Sequence, residues 1–333
     1  MRALLLSEIG TSPAIQEVPD LAAGAGKIVV AIKAASLNHR ELWIQRGQYP
    51  GMVLPATLGA DGAGVVESVG TGVNPALVGQ EVVLYPGLEW GDDPRYPVAS
   101  FGLLGMPGPG TIAEKIVVSA ESAFSKPAHL DAHQAAAIPL AGLTAWRGLI
   151  TKAGLQPDER VLITGVGGGV AAQALAVAVA MGAEAWVTSG SDETLAWAMA
   201  RGAAGGVNYK SEGWGKTLGK AAGPINVVFD GAPASGYAAY GRALAMGARV
   251  VVYGSTGGLG FQVSAPELFL KNVTVAGTNV GNRQEFGAML DFVSRHKLVP
   301  EIERVFSFDQ ATDALTYLES SHARGKVVID VKA

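Results

Sequence analysis

The pattern of apolar and polar positions divides the chain in two. Up to about residue 125 the apolar runs are short and rich in β-branched residues, with Gly and Pro between them. Strands are expected at the N-terminus and over 27–32, 62–69, 81–85 and 114–118. Such short, punctuated strands predict a barrel-like β domain. The segment from Pro86 to Pro109 breaks the pattern and holds Trp90, Asp92 and Asp93. Loops of that length are usually functional or packed on the surface. From about 127 the period changes. Residues 133–138 and 144–152 read as helices, and strand and helix then alternate. A strand over 161–164 precedes a helix over 170–181, one over 185–188 a helix over 192–201, and one over 227–229 a helix over 237–245. Further strands are expected over 249–253 and 272–276. This alternation predicts an α/β fold with a doubly wound parallel sheet, and uninterrupted apolar runs suit strands buried on both faces. Two amphipathic helices, 285–295 and 311–320, and a closing strand, 326–331, complete the chain.

The most informative stretch is Val161-Leu162-Ile163-Thr164-Gly165-Val166-Gly167-Gly168-Gly169-Val170-Ala171. It reads as strand, tight turn and helix. Glycines let the backbone turn sharply and approach a ligand closely, and the helix start behind them offers N–H groups and a positive dipole end to a pyrophosphate. The common G-x-G-x-x-G pattern fails at Val170, whereas G-x-x-G-x-x-A fits Gly165, Gly168 and Ala171, and Ala still permits close helix–strand packing. An acid at the end of the second strand would bond the ribose 2′-hydroxyl of NAD. Here that strand ends Thr188-Ser189-Gly190-Ser191 and carries none. Small hydroxyl residues leave room for a 2′-phosphate, so NADPH is the expected cofactor and NADH the alternative. Asp192 and Glu193 come later and suit the first turn of a helix.

Composition narrows the function. A chain of 333 residues with 49% hydrophobic residues suggests about two domains. The net charge is −4 with 16% charged residues, and no Lys/Arg stripe points to nucleic acid. No apolar run is long enough to span a membrane. An acid at Glu8 interrupts the N-terminus before any leader-like core, so a cytoplasmic location is expected. The absence of cysteine excludes disulfides and thiolate zinc sites.

In order along the chain stand Asn38-His39-Arg40-Glu41-Leu42-Trp43, Arg46-Gly47-Gln48-Tyr49-Pro50, the stretch from Pro55 to Gly70, Gly110-Thr111-Ile112-Ala113-Glu114, Leu143-Thr144-Ala145-Trp146, Asn208-Tyr209 and Gly325-Lys326-Val327-Val328. Together these resemble the medium-chain dehydrogenase/reductase superfamily, in its quinone-oxidoreductase and zinc-type alcohol-dehydrogenase-like branch. The resemblance implies a GroES-like, β-barrel-type substrate domain over 1–126 and 278–333. Inserted in it would be a Rossmann dinucleotide-binding domain over 127–277, with a cleft between the two. It also implies a homodimer or homotetramer, and the strand over 272–276 is a candidate for pairing across a twofold axis.

Zinc-dependent relatives carry a Cys in the segment matching 36–41, a Gly-His-Glu where this chain has Gly59-Ala60-Asp61, and a further Cys or Asp near 140. Here those positions hold Asn38, Ala60 and Leu140 or Ala141, leaving Asp61 as the lone ligand type. Catalytic zinc needs three protein ligands, so no zinc is expected. His39 is the one histidine placed near the cleft; His129, His133, His296 and His322 are expected on surfaces or in local packing. Without a Lewis acid, alcohol oxidation lacks its usual stabilisation of the alkoxide. A quinone or α,β-unsaturated carbonyl accepts hydride readily, and hydrogen bonds can hold its developing oxyanion. Zinc-independent reduction of such small molecules is therefore the expected activity. The alternatives are an alcohol dehydrogenase and a cofactor-binding structural or sensor protein.

The resemblance points to Asn38 as a polar contact beside nicotinamide and substrate; a strand-end Asn completing a turn is the plainer role. Tyr49 is either a donor to the carbonyl oxygen or a wall residue. Asp61 either orients Asn38, His39 or Arg40, or forms a structural ion pair. Trp43, Tyr85 and Trp90 fit an apolar pocket or the β core. For the cofactor, Gly165 forms the turn and Gly168, Gly169 and Val170 offer backbone N–H groups. Ser189 stands at the missing acid. Thr144 and Tyr209 match positions at the nicotinamide and adenosine ends in relatives. Gly254, Ser255 and Thr256 end a sheet strand, Thr278 and Asn279 return near the nicotinamide, and Lys326 matches the closing Gly-Lys motif. NADPH-preferring relatives often carry a Lys where this chain has Thr194.

Overall fold

A computed structural model describes residues 1–320 and 324–331. The chain folds into two compact units, one of Met1–Ala141 with Asn282–Ala333 and one of Gly142–Gly281. The first unit reaches past the composition change at 127 because the helix Ala132–Ala136 packs on the strands Lys27–Ser36 and Asp61–Val69.

In the first unit the ten-residue strand Lys27–Ser36 is the axis of a seven-stranded sheet. It pairs antiparallel with Asp61–Val69 along most of its length. Its first half also pairs with Lys115–Ser119 and its last three residues with Lys326–Asp330. Its apolar side chains join a core with Leu4, Leu84, Ile116, Phe308 and Val327. The register sets the chemistry: Ser36 lies opposite Asp61 on one side and Val328 on the other. Residues more than two hundred positions apart thus meet at one strand end. A three-stranded sheet of Ala14–Glu17, Arg2–Leu6 and Ala56–Thr57 completes this GroES-like unit. The segment from Pro86 to Pro109 is not wholly irregular, since Gly87–Leu88 pairs antiparallel with Gly102–Leu103.

The second unit is a six-stranded, wholly parallel sheet. Its order is Gly205–Asn208, Glu184–Ser189, Arg160–Ile163, Ile225–Asp230, Leu244–Val252, Thr274–Gly277. Counted within the unit this is 3-2-1-4-5-6, the Rossmann order, in which ligands gather at the carboxyl ends beside the switch point. The strand Gly205–Asn208 escapes the apolar pattern because Gly205 and Gly206 carry no side chain to signal it. The helix expected over 237–245 runs earlier, Pro233–Tyr240, and residues from Leu244 onward are strand. The helix expected over 144–152 starts at Pro139 and widens into a π-helix over Arg147–Lys152. Among the described residues, no helix is long and apolar enough to cross a membrane.

Candidate functional site

Two clusters carry the residues singled out above. In the first unit the helix His39–Gln45 begins two residues after the strand Lys27–Ser36, with Asn38 as its N-cap. Glu41 Oε2 accepts the Asn38 backbone N–H at 2.7 Å. This leaves the Asn38 side chain pointing to other partners. Its Nδ2 donates to Asp61 Oδ2 at 2.9 Å, and its Oδ1 accepts from Lys326 Nζ at 2.5 Å. Asp61 is fully buried and holds several donors: Lys326 Nζ at 3.0 Å and the Ser36 hydroxyl at 3.0 Å on Oδ2, and the Leu140 backbone N–H at 2.8 Å on Oδ1. The hydroxyl of Ser36 also reaches the Ala136 carbonyl at 2.9 Å. A buried carboxylate persists when paired and hydrogen-bonded in this way.

Lys326 is also buried. Its ammonium donates to the Leu37 carbonyl at 2.7 Å as well as to Asn38 and Asp61. An ammonium has three hydrogens, and all are engaged here. The side chain has no hydrogen left to donate.

Arg40 extends the cluster. Its Nη1 bonds Glu41 Oε1 at 3.1 Å and the Leu104 carbonyl at 2.8 Å, and Nη2 bonds the Met106 carbonyl at 3.1 Å. Nε donates to the Tyr49 hydroxyl oxygen at 3.3 Å while the guanidinium lies over the Tyr49 ring at 4.7 Å. Tyr49 is half-buried, and with its oxygen accepting, its own hydrogen remains available to a ligand. Burial pushes the Glu41 carboxyl up, and Arg40 and the Asn38 N–H partly counter it. His39 is exposed; the protein around its ring, and then the Lys326 charge, lower its pKa.

Asp61 thus accepts a hydrogen bond from the Asn38 amide. Ser36, Glu41 and the anchoring role of Arg40 escaped sequence reasoning. Spacing hinted at Glu41, which stands at the third helical position and completes a capping box. Of the three aromatics, Trp43 is exposed under Arg46, whereas Tyr85 and Trp90 are buried against Phe286 and Phe101. His129 bonds the Leu298 carbonyl, His133 faces Asp330 and His296 stacks on Phe292; His322 lies outside the described residues. No three of the His, Asp and Glu side chains converge as a metal-ligand set among the described residues. The donors around Asn38 and Asp61 do not fit catalytic zinc, because an ammonium already faces the one carboxylate.

The second cluster is built from backbone. Gly165 adopts φ +62° just after the strand Arg160–Ile163, a conformation that favours glycine. A side chain at Gly165 would meet no protein within 4 Å, and at Gly168 only the Gly165 carbonyl at 3.6 Å. The turn is open on the side a ligand would approach. Gly169 and Val170 begin the helix Gly169–Ala180, where N–H groups lack an intrahelical acceptor. The Gly168 N–H differs from expectation: it closes the turn on the Gly165 carbonyl at 3.0 Å and is not a free donor. Thr188 braces this turn, accepting the Gly165 N–H on its hydroxyl at 3.1 Å and the Val166 N–H on its carbonyl at 3.0 Å.

Ser189 ends the next strand and meets Tyr209, whose N–H donates to the Ser189 carbonyl at 3.0 Å. Lys210 was also missed. A Cβ on Gly190 would stand 2.7 Å from the Tyr209 hydroxyl and 2.9 Å from Lys210 Cε, so both side chains fold over the strand end. The first acid after the strand, Asp192, is held by Asn208 Nδ2 at 2.7 Å. Buried Asp230 ties the neighbouring strand ends, accepting from Thr164 at 2.7 Å, Tyr240 at 2.6 Å and the Ala232 N–H at 2.8 Å. Burial and that carboxylate push the Tyr240 phenol well up. Gly254, Ser255 and Thr256 follow the strand Leu244–Val252, with the Thr256 N–H on the Gly231 carbonyl at 3.0 Å. Thr278 and Asn279 follow the edge strand Thr274–Gly277, and Thr144 is buried in the helix Pro139–Trp146.

Known proteins resemble this arrangement. A family model for the alcohol dehydrogenase GroES-like domain matches residues 24–128, and one for zinc-binding dehydrogenases matches 169–295. The chain is 38% identical over 331 residues to a zinc-type alcohol dehydrogenase-like protein, YogA, of Leptosphaeria maculans, covering 93% of this chain and 92% of that protein. It is 28% identical to quinone oxidoreductase-like protein 2 of Bos taurus, covering 99% and 93%. A crystal structure of an NAD-dependent alcohol dehydrogenase superposes with a TM-score of 0.93 at 32% identity, covering 99% of this chain and all of that one.

Proposed function

The chain belongs to the medium-chain dehydrogenase/reductase superfamily, in the branch of zinc-type alcohol dehydrogenase-like and quinone oxidoreductase-like proteins, and on that premise we propose that it reduces a quinone or an α,β-unsaturated carbonyl with NADPH, without zinc. It is an oxidoreductase that uses a nicotinamide cofactor and acts on small molecules. The observation that supports the finer reading is the Asn38–Asp61–Lys326 cluster, in which a buried carboxylate and an ammonium hold the Asn38 amide between them.

When bound, the nicotinamide supplies hydride from its C4. Addition to the electron-poor carbon of the substrate drives the electron pair onto the carbonyl oxygen. The free Asn38 N–H meets that oxyanion, which stabilises the transition state more than the neutral carbonyl. The Tyr49 hydroxyl, its oxygen accepting from Arg40, keeps its own hydrogen for a ligand and would give the proton that completes the reduction, to be replaced from water. The open Gly165 turn and the Gly169 and Val170 N–H groups would hold the pyrophosphate. Ser189, Tyr209 and Lys210 would hold the 2′-phosphate, with the nearest acid engaged by Asn208.

Titration with NADPH and NADH, then turnover on a panel of quinones and enones, tests this reading. Tighter binding of NADPH and quinone or enone turnover are expected. An alcohol/aldehyde activity is the competing reading, favoured by the relative named an NAD-dependent alcohol dehydrogenase. One tightly bound zinc per subunit in the purified protein would decide for it. Binding of NADPH with no turnover on the whole panel would instead support a sensor role.

The same reading includes a homodimer or homotetramer. The strand Thr274–Gly277 is the free edge of its sheet, and the helix before it, Ala265–Lys271, buries none of its residues and exposes Phe269 and Leu270. Unpaired edges beside apolar surface invite pairing. Light scattering at the monomer mass would refute it.

A further inference from the structure

We propose that Lys326 and Asp61 are positioning residues that fix the orientation of the Asn38 amide, so that one N–H of that amide is always presented to the substrate oxygen. The proposal rests on the functional reading above and deepens it.

An asparagine amide is nearly symmetrical in shape, and its two ends exchange places at little cost when its partners are neutral or absent. Around Asn38 the partners are of opposite charge. The ammonium of Lys326 touches Oδ1 at 2.5 Å and the carboxylate of Asp61 touches Nδ2 at 2.9 Å. Turning the amide over would press its NH2 on an ammonium and its oxygen on a carboxylate. Only one orientation survives. It uses one of the two Nδ2 hydrogens and the whole reach of the ammonium to Oδ1. The Asn38 backbone N–H is taken by Glu41. Among the described residues nothing takes the other side-chain hydrogen, and Asn38 is half-buried.

The cation also acts through the amide. Charge on Oδ1 draws electron density from the nitrogen and strengthens the remaining N–H as a donor, as linked hydrogen bonds polarise one another. Lys326 itself stays out of reach of a substrate, because its three hydrogens go to Leu37, Asn38 and Asp61. Ser36 and the Leu140 N–H hold Asp61 from its other sides, so the carboxylate cannot rotate away. A buried ion pair alone is weak evidence for a stability role. Two opposite charges on the two ends of one amide specify an orientation.

The test uses the full-length protein with selective 15N-asparagine labelling, the Asn38 side-chain signal being assigned by its loss in Asn38→Ala. In the wild type the two Nδ2 hydrogens should be well separated in shift, with the one on Asp61 protected from exchange. In Lys326→Met the pair should converge toward free-amide values, while Lys326→Arg should keep part of the separation. The double variant Lys326→Met with Asp61→Asn removes the orphaned carboxylate and serves if Lys326→Met alone does not fold. Kinetically, Asn38→Ala should lower kcat about a hundredfold. Lys326→Met, or the double variant, should lower it about tenfold or more with KM for NADPH unchanged, and should add little in the Asn38→Ala background.

An unchanged Asn38 signal in the Lys326 variants overturns the proposal, as do kinetic losses that simply add to that of Asn38→Ala. If the wild type turns over no quinone or enone, the functional reading falls, and the amide signal alone decides whether Lys326 positions Asn38.

Discussion

The two clusters solve the problem of placing a ligand in opposite ways. Around Asp61 the first unit buries charge: a carboxylate, an ammonium, a guanidinium and a second carboxylate interlock with few bonds unfilled. Around Gly165 the second unit uses almost no side chains, and the turn stands open with backbone donors behind it. Buried networks are rigid when complete and costly when broken. An open glycine turn costs the fold little when altered, but its loss is felt by the ligand. Substitutions in the first cluster should therefore be read mainly in folding and kcat, and those in the second mainly in cofactor affinity.

The largest effect should come from Asp61→Ala. It leaves the Lys326 ammonium buried without its carboxylate and takes an acceptor from Ser36 and from the Leu140 N–H. Breaking a buried pair by removing one partner costs about 3–5 kcal/mol. Urea denaturation should show a loss of that size; a loss below about 1 kcal/mol would mean that water already reaches the pair.

Gly165→Ala should reverse the pattern. A methyl there meets no protein, so the fold loses only the strain of positive φ, about 1–2 kcal/mol. The same methyl projects into the open turn, and NADPH binding should weaken by tenfold or more, since the glycines there permit close approach of the pyrophosphate. Fluorescence titration reads the affinity. Equal effects on unfolding and binding would erase the contrast between the clusters.

These clusters also differ in how much of them the sequence disclosed. The glycine turn lies within eleven consecutive residues, and its chemistry belongs to the backbone, which local pattern reports well. Its partners across the sheet, Thr188 and Asp230, did not stand out, because only the parallel register brings them to the turn and its neighbouring strand ends. In the first unit, family resemblance singled out Asn38, Asp61 and Lys326, but not why they belong together. That follows from the strand Lys27–Ser36 pairing with Asp61–Val69 and Lys326–Asp330 at one end. Long-range pairing has no local signature. The partners of Lys326 are hidden for the same reason: the Gly-Lys motif says nothing of burial, and only the fold buries the side chain. The strand Gly205–Asn208 was lost to its own composition, and the residue it delivers, Lys210, was lost with it.

Lys210 sharpens the comparison within the second unit. Lys210→Met removes a cation beside Tyr209 without touching the turn. One charge-assisted contact to a phosphate is worth about 1.4 kcal/mol, so KM for NADPH should rise about tenfold while KM for NADH stays unchanged. Equal changes for both cofactors would place Lys210 away from the 2′-position.

The smallest effect belongs to His39, at the border of the first cluster. Its folded-state pKa lies below the ordinary value near 6.5, because the surrounding protein and then the Lys326 charge disfavour the imidazolium. Between that lowered value and about 6.5 the unfolded chain binds a proton that the folded chain refuses, so stability falls as pH drops through this window. Urea midpoints measured from pH 7.5 downward should decline for the wild type and decline less for His39→Gln. Added salt should shrink only the part of the difference that comes from the Lys326 charge. In Lys326→Met the His39 contribution should shrink as well, the repelling charge being gone. If it is undiminished, the ammonium is screened from its neighbours, and the first cluster is less tightly coupled than its hydrogen bonds imply.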